Sequence, residues 1–292
     1  MGFMSERKVS LEREKALVAL LDDPSPVVQE GLTAAFSELG QAGEDILRRV
    51  VREEEAEVSR RASEMLVALV GPDPTNMFLH FIRGLQYELE TGLLLINRVI
   101  YPELDTASVQ TELDAIAERC RQLGVAPMRP RDQCRVLNRV FFHEYGFRGN
   151  VEDYEDPLNS CLEAALRRRK GLPIILSALY ILVGERVGLD LEPIGLPGHF
   201  LVGNFEDRDP LYLDPFERGR FRSVAELRNL LARHNVLPEF HHLVPVPVGE
   251  VLCRVCRNLV LHFEARRQHR WANKFRTFVR EFEETHRRHS EA

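Results

Sequence analysis

Apolar positions along the chain change spacing three times, and each spacing predicts a different kind of element. Up to about Val70 they recur at helical intervals. Leu20, Val28 and Ala35 are echoed by Val50, Val58 and Met65, one helix pair further on, which is the signature of a short helical solenoid. Pro24 and Pro26 break the first unit at 22–26, because proline can open a helix but not continue one. Two stacked helical units are therefore expected, burying one face and offering the other to partners. The Gly- and Pro-containing stretch at 71–76 reads as a joint.

The middle of the chain begins helically. Leu89, Leu93, Ile96 and Ile100 share a face, Pro102 interrupts, and Leu113, Ile116 and Ala117 resume the period, predicting two packed helices. A further helix is expected to end near Gly146, with a turn at Gly149-Asn150, followed by one capped by Asn159 or Ser160 and stopped at Gly171. From Leu172 to Val183 the chain is apolar around most of the helical circumference, with Pro173 at a natural first position, as in a helix enclosed on every side. After Gly188 short β-prone runs take over at 191–195, 199–205 and 211–214, with a polar turn at 206–210. If that turn centres on Glu206 and Asp207, His199 lies directly opposite Asp214, within hydrogen-bonding reach. At the C-terminal end, Val251, Val255, Leu259 and Phe263, then Trp271, Phe275, Phe278 and Phe282, predict two amphipathic helices. The fold class is α+β and mostly helical: a central buried helix on a small antiparallel sheet, flanked by α-helical repeat segments.

Composition adds mainly exclusions. With 44% apolar and 29% charged residues the chain has the balance of a globular protein, and its net charge of −6 excludes a molecule built as a whole to coat nucleic acid or an anionic membrane. The Leu172–Val183 run is short of the roughly 20 residues that cross a bilayer. The N-terminal residues carry no apolar export segment, and Glu6 stands where a myristoylation signal wants Ser or Thr. Five cysteines, an odd number, read as reduced thiols, so the cytoplasm is the expected location.

An enclosed helix followed by a sheet carrying His and then Asp is the core order of papain-like and transglutaminase-like enzymes. There a Cys at the helix N-terminus attacks, the imidazole accepts its proton, and the acid orients the imidazole. The wording here is similar to the transglutaminase-like core of the SirB family, whose domain also occurs in some F-box proteins. The resemblance is carried by YPELD at 101–105, YGFRGN at 145–150, DPLNS at 156–160, RRRKGLPIILSALY at 167–180, PGHFLV at 197–202 and LDPF at 213–216. It implies a SirB-type domain over 76–245, preceded by HEAT-like repeats over 1–72 and followed by a shortened tetratricopeptide-like helix pair over 246–292. It also implies that His199 and Asp214 are the family histidine and aspartate. The family's Gly-x-Cys phrase is replaced by Gly171-Leu172-Pro173, and proline has no nucleophile. The leading expectation is a non-catalytic or altered domain acting through a protein or peptide partner.

Each remaining candidate has a plainer reading. Cys161 is the nucleophile that a rival cysteine-class hydrolase or acyltransferase would need, with His199 and Asp214. It sits about ten residues before the central helix, roughly 15 Å if helical, so it is otherwise a small packed residue. Ser177 could line the site, but a hydroxyl there more often bonds back to a helix carbonyl. Tyr154, Asp156, Asn159, Ser160 and Pro173 are the other candidate binding residues, with turn and capping duty as the alternative for Asp156 and Asn159. Water activated by His199 is a further route. Cys253 and Cys256, with His262 and His269, invite zinc, yet the cysteines fall within a strong helical pattern, and core packing is the better account. The basic run Arg167–Lys170 is what a helix C-terminus favours. No cofactor, metal or membrane is expected, nucleic acid is disfavoured, and no oligomeric state is implied.

Overall fold

The computed structural model describes residues 11–53, 56–71, 73–124, 127–233, 235–237 and 239–290. The chain forms two compact units, Met1–Met77 and Phe78–Ala292.

The first unit holds α1 (Leu11–Ala19), α2 (Pro26–Leu39), α3 (Gln41–Glu53) and α4 (Ala56–Val70). Its core is built on Leu21, Leu32, Phe36, Ile46, Leu47, Val50, Ala62 and Met65. Val50 and Met65 are buried as their spacing predicts, whereas Leu20 is 43% exposed and Leu21 takes the inner place. The physical reason is that α1 ends at Ala19, so helical periodicity no longer governs residue 20. Pro26 opens α2, and Gly40, at φ +53°, closes it.

The larger unit is organised around α10 (Pro173–Arg186), which is buried at every position from Pro173 to Gly184. The same core takes in residues of α6 (Leu89–Ile100), α7 (Thr106–Leu123), α8 (Pro130–Asn138) and α9 (Leu162–Arg168), together with Phe78 and Ile82 of α5 (Pro74–Arg83). Pro102 separates α6 from α7, and both pack on α10. Beyond α8 the chain continues through a π-helical turn, Arg139–Glu144. Gly149 does not form a turn: β1 (Arg148–Gly149) pairs in parallel with β2 (Lys170–Gly171), tying the strand after the π turn to the residues that lead into α10. Nor do Asn159 and Ser160 cap the following helix. They belong to a 3-10 turn, Pro157–Ser160, capped by Asp156. The start of α9 is served instead by buried Asn97 of α6, whose Oδ1 accepts from the Glu163 backbone N–H at 3.1 Å.

The antiparallel sheet comprises β3 (Glu192–Leu196), β4 (His199–Asn204), β5 (Leu211–Asp214) and β6 (Arg220–Arg222), in that order. Strand β6 and the helix after it, α11 (Val224–Arg233), were not anticipated by the period-2 pattern. They matter because the sheet has two covered faces. Phe200, Val202 and Leu213 join the main core with α10. Ile194, Leu196, Leu201 and Tyr212 form a second core with Leu227 and Leu231 of α11. Helices α12 (Val248–Ala265) and α13 (His269–Ser290) contribute Val251, Leu259, Phe275 and Phe282 to the main core, and Cys253 and Cys256 are buried there too. Among the described residues no helix is long and apolar enough to cross a membrane.

Candidate functional site

The ladder between β4 and β5 pairs Val202 with Leu213, Gly203 with Tyr212 and Asn204 with Leu211. The turn is thus centred between Asp207 and Arg208, and the same register sets Asp214 opposite Leu201 rather than His199. A two-residue offset keeps both side chains on one face, since strand faces alternate with period two. Within that diagonal relation His199 Nε2 still lies 3.0 Å from Asp214 Oδ2. The pair leaves from the face shared with Leu201, toward α11, while α10 covers the opposite face.

Asp214 is completely buried and fully engaged. Its Oδ2 also accepts from Arg222 Nη2 at 2.7 Å and Nε at 3.2 Å, and its Oδ1 accepts from the Glu217 backbone N–H at 3.2 Å. Burial alone would raise the carboxyl pKa, but the hydrogen bonds and charges of His199 and Arg222 outweigh it and hold the group below the ordinary carboxylate range. An ionised Asp214 accepting from Nε2 places the proton of a neutral imidazole on that nitrogen, which leaves the Nδ1 lone pair as the acceptor. Among the described residues Nδ1 has no hydrogen-bond partner. The arrangement can therefore accept a proton, or bind a donor, at Nδ1.

His199 and Asp214 line a cleft of about 420 Å³, together with Phe216, Arg222, Glu226, Leu227, Leu230 and Arg233 among others. The other residues nominated from the sequence do not line it. Tyr154 comes nearest: its exposed ring meets Phe216 edge-on at 6.2 Å, and Phe216 meets His199 edge-on at 6.2 Å. Asp156 caps the 3-10 turn and pairs with Arg168 at 2.6 Å. Asn159 is fully buried and spent on structure, accepting from Asn150 Nδ2 at 2.8 Å and donating to the Asp153 carbonyl at 2.6 Å. Its backbone carbonyl accepts from Leu172 N–H at 3.0 Å, which fixes the entry into α10. Ser160 is buried, and its Oγ has no hydrogen-bond partner among the described residues. Pro173 is the buried first residue of α10. Ser177 donates across to the Phe200 carbonyl of β4 at 3.4 Å, instead of back to its own helix. Cys161 is fully buried, and burial raises its pKa strongly, so a reactive thiolate is disfavoured.

Two contributors escaped the sequence reading. Arg222 belongs to a three-residue edge strand too short to show a period, and Arg254 reaches the hairpin from α12, far along the chain. Neither stood out locally: Arg222 follows Arg218 and Arg220 at alternate positions, and Arg254 lies in a helical run that also holds Arg257. Phe216 was within a recognised phrase, yet its role is geometric: it contacts His199, and Gly149 must lack a side chain to admit its ring, since a Cβ there would lie 2.4 Å from Phe216 Cε2.

An enclosed helix on one face of an antiparallel sheet, with a histidine ordered by a buried carboxylate at one end of the two inner strands, defines an α+β protein with a transglutaminase-like core. The chain belongs to the transglutaminase-like superfamily, whose family model matches residues 107–257, more than half its length. It is 34% identical over 181 residues to a UPF0162 protein of Xylella fastidiosa, covering 59% of this chain and 63% of that one. It is 32% identical over 148 residues to a UPF0162 protein of Vibrio cholerae, covering 50% and 54% respectively. Human F-box only protein 21 is 33% identical over 199 residues, 58% of this chain and 31% of that protein. The chain thus spans less than two thirds of the length of these relatives. No solved structure matches it.

Proposed function

We propose that this chain is an altered transglutaminase-like domain of the SirB type, which binds a protein or peptide partner at His199 without a covalent step. One observation carries the reading: Asp214 holds and polarises the imidazole, while the helix where a nucleophile is required opens with Pro173. A histidine kept oriented at a cleft, with Nδ1 open, is suited to accept a hydrogen bond from a ligand amide or ammonium group. The cysteine rival has to expose Cys161, whose thiol is fully buried. HEAT-like units over 1–72 and tetratricopeptide-like helices over 246–292 would supply further partner surface. The matched region in human F-box only protein 21 covers 31% of that protein, which supports use of this domain type as a module within larger chains.

The test is a binding screen of the full chain on arrays of peptides presenting glutamine, glutamate or lysine side chains. The expected result is retained binding that is lost in His199→Ala and weakened in Asp214→Asn, while Cys161→Ala behaves as wild type. Equal binding by wild type and His199→Ala overturns the reading. A second reading, water activated by His199 as general base, is favoured by the tautomer that Asp214 imposes. Hydrolysis of an array peptide by the wild type, abolished by His199→Ala and unaffected by Cys161→Ala, would establish it instead.

A further inference from the structure

The turn from β5 to β6 carries two members of the site, because it starts at Asp214 and delivers Arg222 on the strand that follows. Its own hydrogen bonds close it. Gly219 N–H donates to the Asp214 carbonyl at 2.8 Å, Arg220 N–H to the Glu217 carbonyl at 3.3 Å, and Glu217 N–H to Asp214 Oδ1 at 3.2 Å. The ladder then sets Asp214 opposite Arg220 and Tyr212 opposite Arg222. Glu217 N–H holds one carboxylate oxygen, and Arg222 holds the other, the one that His199 Nε2 meets. A shift of this turn therefore moves the acceptor of the imidazole.

An anchor from outside the sheet holds the turn. Asn138, the last residue of α8, donates from Nδ2 to the Gly219 carbonyl at 2.9 Å. Its Oδ1 accepts from the Tyr180 hydroxyl, also at 2.9 Å. Tyr180 is fully buried in α10, and its hydroxyl lies 3.1 Å from the Cys134 carbonyl as well. A hydroxyl donor on one side and a carbonyl acceptor on the other admit a single orientation of the carboxamide. The approach is close: Gly219 has φ at +71°, and a Cβ there would fall on Asn138 Oδ1 and press on the Phe142 ring. Phe142 belongs to the π-helical turn that begins after Asn138, and it stacks on Tyr180 with ring centroids 5.8 Å apart. Such turns are rare and are found frequently at functional sites. Helix α8 also reaches the hairpin at a second point, where the Arg131 guanidinium lies 4.8 Å from the centroid of the Phe221 ring of β6.

We propose that Asn138, oriented by Tyr180, is a positioning residue that fixes the Asp214 turn and thereby holds the His199 imidazole with Nδ1 open to a ligand. The path runs from the Tyr180 hydroxyl through the Asn138 carboxamide to Gly219, and from the Gly219 N–H to Asp214. Neither Asn138 nor Tyr180 lines the cleft, so both act through Asp214. For its effect on ligand affinity the inference rests on the reading of His199 as the binding residue, and it adds to that reading the device that keeps the ring in place. A hydrogen-bonded network of this kind is stiff only while every member is satisfied, so loss of one arm loosens the whole.

The experiment uses the full chain with isotopically labelled histidine rings and measures exchange of the His199 Nε2 proton with water, its signal being the one absent from His199→Ala. Tyr180→Phe deletes one hydroxyl and keeps the ring, while Asn138→Leu keeps the volume and deletes both arms. Each should speed the exchange, Asn138→Leu by at least about tenfold, the factor that loosening one charge-assisted hydrogen bond gives. The double variant should exchange no faster than Asn138→Leu, because Tyr180 acts through Asn138. Leu113→Ala, which weakens the main core from α7, should leave the exchange at the wild-type rate. Equal acceleration by Leu113→Ala overturns the positioning role, since general destabilisation would then explain the effect. Wild-type exchange in Tyr180→Phe overturns it too, and this variant decides the matter if Asn138→Leu does not fold. Binding of acetyl-Ala-Lys-Ala amide and acetyl-Ala-Gln-Ala amide is measured in parallel and should weaken in both variants. Unchanged exchange with peptide binding intact overturns the inference and leaves the reading of His199 standing. Faster exchange in the variants, with neither peptide bound by the wild type, supports the anchor and overturns the peptide reading.

Discussion

His199 Nε2 and Asp214 Oδ2 are 3.0 Å apart although the two residues are not opposed on the β4–β5 ladder. The diagonal contact is possible because both side chains leave the same face and Arg222 completes the cluster from β6, donating to the same oxygen. The carboxylate is completely buried, while the His199 and Arg222 side chains beside it are only slightly exposed. Removing one member of such a set leaves the others desolvated and uncompensated.

Asp214→Ala should therefore destabilise the protein by about 3–5 kcal/mol, the cost of an unpaired buried charge at Arg222. Chemical denaturation of the full chain measures it, provided the transition of the larger unit is followed separately. A loss below about 1 kcal/mol would mean that solvent reaches the cluster freely.

Acid should act in two windows. His262 is buried on α12, and burial lowers its pKa, so the unfolded chain takes up a proton near pH 6.5 before the native state does. Stability is complete above that pH and declines as pH falls toward the lower native value. Asp214 acts further down: its depressed pKa stabilises above the ordinary range near 3.9, and that contribution is lost as pH falls through the native value. His262→Phe should flatten the upper window and Asp214→Asn the lower one. Melting temperatures against pH read both, and parallel profiles for wild type and variants would contradict the assignment.

No thiol among the described residues should react quickly in the native state. Cys120, Cys134, Cys161, Cys253 and Cys256 are all buried, and burial pushes Cys120, Cys134 and Cys253 up to about 12. Titration with an aromatic disulfide should show no rapid phase before denaturation and all five thiols after it. A single fast thiol that disappears in Cys161→Ala would revive the cysteine mechanism.

Gly149→Ala should displace Phe216, because the added Cβ would fall 2.4 Å from its ring. Overpacking of this kind costs about 1–3 kcal/mol, and the ring shift should also weaken peptide binding at His199. Gly219→Ala should be worse, with φ at +71° and a Cβ only 1.9 Å from Asn138 Oδ1. Wild-type stability in Gly149→Ala, with unchanged His199 resonances, would show that Phe216 has room to move.

Sequence alone determined the elements whose signal is local. An all-round apolar run opened by Pro173 is an enclosed helix, short β-prone runs after Gly188 are strands, and no arrangement of neighbours can put a nucleophile on proline. The fold class follows from these periods, because backbone geometry alone sets 3.6 and 2 residues per repeat. What tertiary structure decided was which side chains meet. Asn159 and Ser160 were candidate binding residues beside His199, yet one is consumed by Asn150 and the loop carbonyls and the other is sealed in the core. Arg222 and Arg254 became neighbours of His199 only through an edge strand and a helix 55 residues away. Burial and pairing of this kind depend on segments distant in the chain, and local spacing does not encode those contacts.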